Sequence, residues 1–249
     1  MWALQVRTAS RTHRILVGTA GPVRFPSFQY VIGDLETRHA VVVDPGWDGE
    51  GIARRIQLEG WSLRAVVLTH SHSDHVNGVA DLVGLLPAPI YMSRDEASFY
   101  GFDEPGLVHC RDGETLTAGS IEVGVMQTSG HTVGSCCFLI GDALFVGDTL
   151  FPEGVGFTHS EGGSASDLYD SVRRLDREIS DDTRVYPGHR YRRQPGLTFA
   201  ELRRRNVYFH LSSRKDFVEF VNRRTVATSH DRLLANTPTT LPDGKLTWG

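Results

Sequence analysis

Cysteine is scarce in this chain, with only Cys110, Cys136 and Cys137, two of them adjacent. That count and spacing argue against the disulfide framework of a small secreted domain and fit a reducing compartment. Long apolar runs are also missing. No stretch approaches the roughly 20 apolar residues needed to span a bilayer, and the opening MWALQVRTASRTHR lacks the apolar segment of a secretory signal. The expected location is the cytoplasm, with no membrane partner. Nor is there a surplus of positive charge: 26 Lys and Arg face 30 Asp and Glu, a formal net of -4. Nucleic acid is accordingly not an expected partner, because phosphate binding takes a clustered positive field. Repeats and linker-like runs are absent as well. The simplest organisation is one domain over residues 1–249, with a core of about 14–195 and C-terminal helices over about 196–236.

What is present can build a sizeable core, since 40% of residues are hydrophobic and 9% aromatic. RILVG from Arg14, FQYVIGD from Phe28 and HAVVVDPG from His39 are β-branched or aromatic runs bounded by turn residues. They predict an antiparallel meander. A helix with Ile52, Ile56 and Leu58 near helical spacing separates this from the strand RAVVLTH. The run HVNGVADLVGLL, apolar at Val76, Val79, Leu82, Val83 and Leu86, predicts one further helix. IEVGVMQ and the pair CCFLI and ALFVG, joined at Gly141-Asp142, predict a second sheet. Leu168, Val172 and Leu175 form a helical stripe before the short strand RVYP. Two closing helices are predicted, one starting at Thr198 with Glu201 in a reciprocal cap, the other with Phe217, Phe220 and Val221 as its apolar face. The last dozen residues, containing Pro238 and Pro242, read as an irregular tail.

The histidines are distributed unevenly. THSHSDHVNG, residues 69–78, holds three of the eleven together with an aspartate. His70 and His72 are two apart, so an extended segment turns both rings the same way, while Asp74 and His75 at the following turn face elsewhere. One loop can thus serve two neighbouring metals, each lacking a ligand from another segment. Four more segments are predicted strands that run into a loop bearing His or Asp: Asp44 after AVVV, His131 in TSGHTVGS, Asp148 in LFVGDTLF and His189 in RVYPGHRY. Ligands at strand ends belong to a site on one edge of a sheet structure. His131, Asp148 and His189 supply the missing ligands, and a carboxylate such as Asp148 can bridge metals roughly 3.5–4 Å apart. Imidazole and carboxylate donors suit zinc, iron or manganese. The remaining histidines (His13, His39, His109, His159, His210 and His230) read as solvated or satisfied by backbone.

These motifs in this order resemble the metallo-β-lactamase superfamily, whose HxHxDH pattern stands here as His70, His72, Asp74 and His75, with VVVDPG, GHTVGS, GDTLF and YPGHRY around it. The resemblance covers about residues 28–221. It implies a mixed α/β fold, a four-layer αββα sandwich followed by a short C-terminal helical segment, with two divalent metal ions at one edge of the sheets, zinc in first place. His70, His72 and His131 would hold the first metal, and Asp74, His75 and His189 the second. Asp148 would bridge, Asp74 and Asp148 would be the catalytic carboxylates, and Asp44 would orient ligands from behind.

Hydrolysis through a metal-bridging hydroxide is the reaction this implies. The run from Gly130 to Phe151 and the sequence GHRYRRQPGLTFAELRRRN are most similar to glyoxalase II enzymes, which are hydroxyacylglutathione hydrolases, and to the related persulfide dioxygenases. A small-molecule or carrier-bound acyl thioester is the expected substrate. Tyr191 matches the tyrosine after the last histidine of the glyoxalase II pattern, and Arg214 with Lys215 stand for that group's basic residues. One departure is notable: many relatives carry an arginine after the bridging aspartate where this chain has Phe157, which points to a less anionic or more hydrophobic substrate. Other readings of the same pattern are a mononuclear-iron oxygenase like the persulfide dioxygenases, and a lactonase or biosynthetic thioesterase. Assembly into a homo-oligomer is left open.

Overall fold

The computed structural model describes residues 2–7, 13–21, 26–189, 193–227, 238–240 and 246–248. A seven-stranded sheet holds, in spatial as well as chain order, β1 (Trp2–Arg7), β2 (His13–Ala20), β3 (Ser27–Asp34), β4 (His39–Val43), β5 (Ser62–Val67), β6 (Ile90–Ser93) and β7 (Leu107–Cys110). The first four are the expected antiparallel meander, extended by β1, and from β4 onward neighbours are parallel. Helix α1 (Gly49–Leu58) crosses between β4 and β5, α2 (Ser73–Val76) and α3 (Val79–Leu85) lie between β5 and β6, and α4 (Arg94–Tyr100) precedes β7.

The second sheet is built from β8 (Thr115–Ala118), β9 (Ile121–Gln127), β10 (Cys136–Ile140) and β11 (Ala143–Gly147). A small hairpin of β12 (Leu150–Phe151) and β13 (Gly154–Val155) follows, then α5 (Ala165–Glu178), β14 (Arg184–Pro187), β15 (Leu197–Thr198), α6 (Phe199–Arg205) and α7 (Arg214–Ala227). Its spatial order is β15-β14-β11-β10-β9-β8. Helix α6 begins with the predicted reciprocal cap between Thr198 and Glu201.

Strand alternation sorts the side chains into three layers of core. Phe28, Tyr30, Ile32, Val41, Val43, Ala65 and Val67 from the first sheet meet Phe138, Ile140, Phe145 and Tyr186 from the second. The residues between them face outward: Val31, Val42 and Val66 pack beneath α1 and α3, and Leu144, Val146 and Val185 beneath α5, α6 and α7. Two sheets each covered by helices are the αββα sandwich.

Four local expectations need correction. Leu58 does not join Ile52 and Ile56 in the core; it is 77% exposed. Phe220 is 43% exposed while Phe217 and Val221 are buried, so the apolar stripe of α7 is narrower than its sequence. The single helix expected after the histidine cluster is two, because the Gly78 N–H donates to the Pro45 carbonyl (2.8 Å). A Cβ at Gly78 would lie 2.6 Å from that same oxygen. The loop after β4 crosses there, and only glycine lets it pass. Finally, the tail is not wholly irregular: β16 (Pro238–Thr240) pairs antiparallel with β17 (Leu246–Trp248). Their PTT and LTW segments are rich in the Thr and Trp that strands favour. No helix among the described residues is long and apolar enough to cross a membrane.

Strand direction is what collects the chemistry. β4 and β5 are parallel, as are β11 and β14, and β9 runs the same way as β11 because both flank β10 antiparallel. The carboxyl ends of these five strands lead into Asp44, His70, His131, Asp148 and His189. The two sheet edges are tied together by Cys136 N–H to the Thr69 carbonyl (2.8 Å) and Phe28 N–H to the Gly188 carbonyl (2.7 Å).

Candidate metal centre

Seven of the residues singled out in the sequence converge. The inward nitrogens of three histidines form one set: His72 Nδ1 lies 3.1 Å from His70 Nε2 and 3.0 Å from His131 Nε2. Asp74, His75 and His189 form another, with His189 Nε2 3.1 Å from Asp74 Oδ2 and 3.4 Å from His75 Nε2. Asp148 stands between. Its Oδ1 is 3.5 Å from His75 Nε2, and its Oδ2 is 3.3 Å from His189 Nε2 and 3.8 Å from His131 Nε2. Donor atoms of His70, His72 and His131, of His70, His75 and Asp148, and of Asp74, His75 and His189 each gather within 4.8 Å.

For His70, His75, His131 and His189 the outward nitrogen is occupied, which fixes the ring. His75 Nδ1 donates to Asp44 Oδ2 (2.9 Å), His131 Nδ1 to the Phe157 carbonyl (2.7 Å) and His189 Nδ1 to the Pro26 carbonyl (3.4 Å). His70 Nδ1 sits 3.0 Å from Thr69 Oγ1, which itself donates to Asp44 Oδ2 (2.7 Å). Asp44 Oδ1 takes the Thr69 N–H (2.8 Å), so this one carboxylate organises both His70 and His75. Asp44 holds a left-handed φ of 48°, a conformation that Asp tolerates better than most residues and that orients its side chain here. With these outer nitrogens bonded, the inner ones are the positions that would face a metal, as in metal-ligating histidines.

The donors fit divalent cations. Asp148 Oδ1 is buried yet accepts no hydrogen bond, an arrangement that is costly without a cation. A Cβ at Gly188 would fall on that oxygen and within 2.6 Å of the His75 ring, so the strand end after β14 is kept clear by glycine. Five imidazoles and two carboxylates without a thiolate suit zinc, iron or manganese.

Electrostatics divide the two sets. Burial, with the neighbouring imidazoles, holds His70 well below the ordinary histidine value, and burial beside His131 brings His72 down to about 3. Those rings are neutral and ready to ligate. Burial also opposes charge on His75, but Asp74 and Asp44 overcome it and hold the ring up at about 9. His189 is likewise raised, Asp148 and Asp74 outweighing its burial. The partner carboxylates of Asp74 and Asp148 are held well below the usual range, because nearby His75 and His189 outweigh burial. At neutral pH without metal, His75 and His189 therefore carry protons that a cation must displace. Apparent affinity at the Asp74, His75 and His189 set should rise as pH rises toward about 9, by up to about tenfold per pH unit for each proton displaced. Cation titration of metal-free protein between pH 6 and 9 checks this, and an affinity flat with pH would contradict it.

The other predicted residues lie differently. Phe157 contributes its carbonyl to His131, and its half-buried ring sits 5.5 Å from that of His159. Arg214 pairs with Asp170, bonds Ser166 and stacks over the Tyr169 ring, joining α7 to α5. Lys215 is exposed beside it. Tyr191 lies outside the described residues. Three contributors had no sequence signal. Thr69 couples Asp44 to His70, and Ser27 Oγ donates to Asp74 Oδ2 (3.2 Å). Buried Asn206 donates to the carbonyls of Phe151 and Gly154 (both 2.8 Å), holding the hairpin that follows Asp148. Thr69 adjoins His70 in the chain, but only the fold brings Asp44 to it and places Ser27 and Asn206 by the ligand loops.

Comparison with known proteins agrees with this geometry. Residues 22–189 match the Metallo-beta-lactamase superfamily. The chain belongs to that superfamily. It is 38% identical over 198 residues, 80% of this chain and 88% of the relative, to the "Probable polyketide biosynthesis zinc-dependent hydrolase PksB" of Bacillus subtilis. Among solved structures, ETHE1 from Myxococcus xanthus is 30% identical with a TM-score of 0.74, covering 87% of this chain and 93% of that one. TTHA1623, solved in a di-iron-bound form, is 29% identical with a TM-score of 0.63, covering 76% of this superfamily member and 98% of the other chain.

Proposed function

We propose that this superfamily member is a metal-dependent hydrolase that holds two divalent ions and cleaves an acyl thioester. One observation carries the reading: two three-residue donor sets face each other with the buried Asp148 between them. Ions bound there would lower the pKa of water to near neutrality and polarise a carbonyl. The chain's own residues do the rest. His70, His72 and His131 would hold one ion, and Asp74, His75 and His189 the other, with Asp148 touching both sets. Asp44 accepts from His75 Nδ1, so Nε2 is the nitrogen that would take an ion once its proton is displaced.

The hydroxyls beside the cluster are committed, Thr69 to Asp44 and Ser27 to Asp74. A thiolate departs without help from a separate acid, which suits a thioester better than an amide. Phe157 where many relatives carry arginine favours an apolar acyl group over an anionic one. The name of the Bacillus subtilis relative is in keeping with zinc and with a biosynthetic acyl compound, small or carrier-bound.

Metal analysis of protein purified without added metal, joined to a panel of acyl thioesters, lactones and a glutathione persulfide under oxygen, tests the reading. Two equivalents of metal and chelator-sensitive thioester cleavage are expected. Full activity in metal-free protein would sink the hydrolase assignment, and oxygen uptake with one equivalent of iron would transfer the chain to the oxygenases.

A further inference from the structure

The two loops that carry the three-histidine set come from different sheets. One follows β5 and presents His70 and His72, with Ser71 between them; the other follows β9 and presents His131, with Gly134 three residues on. Their separation decides the 3.0 Å spacing between His72 Nδ1 and His131 Nε2. A single side chain spans them. Glu96, in the first turn of α4, takes the Ser71 N–H (2.8 Å) and the Ser71 hydroxyl (2.7 Å) on Oε1, and the Gly134 N–H (2.9 Å) on Oε2.

Glu96 is 0% exposed, and among the described residues it makes no ion pair with Lys, Arg or His. A buried carboxylate without a cation is costly unless its lone pairs are filled by good donors. Here those donors are one neighbour of His70 and His72 and one neighbour of His131. The helix backbone is pressed against the second loop as well. A Cβ at Gly134 would fall on the Glu96 amide nitrogen, and that amide donates to Ser93 Oγ (3.1 Å), which caps α4. Each carboxylate oxygen is thus committed to one loop, and the rigid carboxylate sets the gap.

We propose that Glu96 is a positioning residue for the metal centre, clamping the His70/His72 loop to the His131 loop at the separation that three-histidine ligation requires. The proposal rests on the reading of these histidines as metal ligands. It differs from the role of Asp44, which acts on individual rings; Glu96 touches no ligand side chain and acts on the loop backbones. Glutamine is close in size to glutamate, but its amide nitrogen cannot accept, so Glu96→Gln leaves one loop's N–H facing a donor.

The experiment is titration of metal-free protein with Zn²⁺ against a chromophoric chelator, repeated with Co²⁺ for its visible spectrum, on wild type, Glu96→Gln, Ser71→Ala and His72→Ala. The last variant identifies which binding phase belongs to the three-histidine set. Expected is a weakening of that phase by about 10–100-fold in Glu96→Gln, a smaller loss in Ser71→Ala, an altered Co²⁺ spectrum and the other phase within about threefold of wild type. Wild-type affinity and spectrum in Glu96→Gln would overturn the clamp while leaving the metal reading intact. Equal weakening of both phases would overturn it also, showing a general structural role. If Glu96→Gln does not fold, Ser71→Ala decides, and unchanged affinity there overturns the proposal. A wild-type protein that binds no metal would overturn both the site reading and the clamp.

Discussion

Asp148→Ala is expected to reduce hydrolysis by roughly a thousandfold or more and to lower bound metal from two equivalents to one or none. The reason is position. Asp148 alone among the seven has oxygens within 4 Å of both donor sets, at 3.5 Å from His75, 3.3 Å from His189 and 3.8 Å from His131. It is also half of a charge balance. His189 is raised chiefly by Asp148, opposing its burial, so removing the carboxylate lets the buried ring lose its proton and the fold lose a favourable pair. The sign for the wild type follows from linkage. The depressed Asp148 contributes stability that is present above about pH 4 and lost as pH falls through its folded value. Raised His75 contributes below about pH 6.5 and loses that contribution as pH rises through about 9. Metal-free protein should accordingly melt highest between those limits, and Asp148→Ala should flatten the acid side. Metal content measured alongside kcat/KM settles the main point: two equivalents and full turnover in Asp148→Ala would refute the bridging position.

Asp44→Asn is expected to weaken cation binding at the Asp74, His75 and His189 set by about 10–100-fold. Asp44 is buried and accepts three hydrogen bonds, two from Thr69 and one from His75. Asparagine fits the space and tolerates the left-handed backbone, so the fold survives. Its amide nitrogen, however, places a donor opposite the Thr69 hydroxyl and His75 Nδ1. Thr69 can turn its hydroxyl, but His75 must move its proton to Nε2, the nitrogen that faces the cluster. The ring is then blocked as a ligand although it has not moved. Asp44→Ala should behave differently: three donors lose a buried acceptor, costing about 2–4 kcal/mol of stability. Melting curves together with cation titration separate the two. Unchanged metal affinity in Asp44→Asn, with the protein folded, would show that the His75 proton is not controlled from this side.

Much of the site was legible before the fold was known because its ligands are chemically rare types in local patterns. His70, His72, Asp74 and His75 lie within one short segment, and His131, Asp148 and His189 each follow a short, mostly apolar run that folds as a strand. Strand ends and buried runs are local properties, and so was the reciprocal cap at Thr198 and Glu201. The failures were of another sort. Leu58 and Phe220 obey helical spacing yet face water, because which part of an apolar stripe is covered depends on the neighbouring element. The helix after the cluster broke at Gly78 because a loop 33 residues earlier passes against it at Pro45.

The sequence by itself determined the donor chemistry, the strands and helices that flank the ligands, and the superfamily they form, since each depends on residue type and near neighbours; β1, β6 to β8, α4 and the short β12, β13 and β15 were not read from it. The tertiary structure decided which nitrogen of each histidine faces inward, that Arg214 is engaged with Asp170, and that Asn206 and Glu96 brace the loops around the ligands. Those are contacts between segments far apart in the chain. Hydrogen-bond direction and loop separation exist only once two sheet edges are brought together, and no local pattern of residues encodes them.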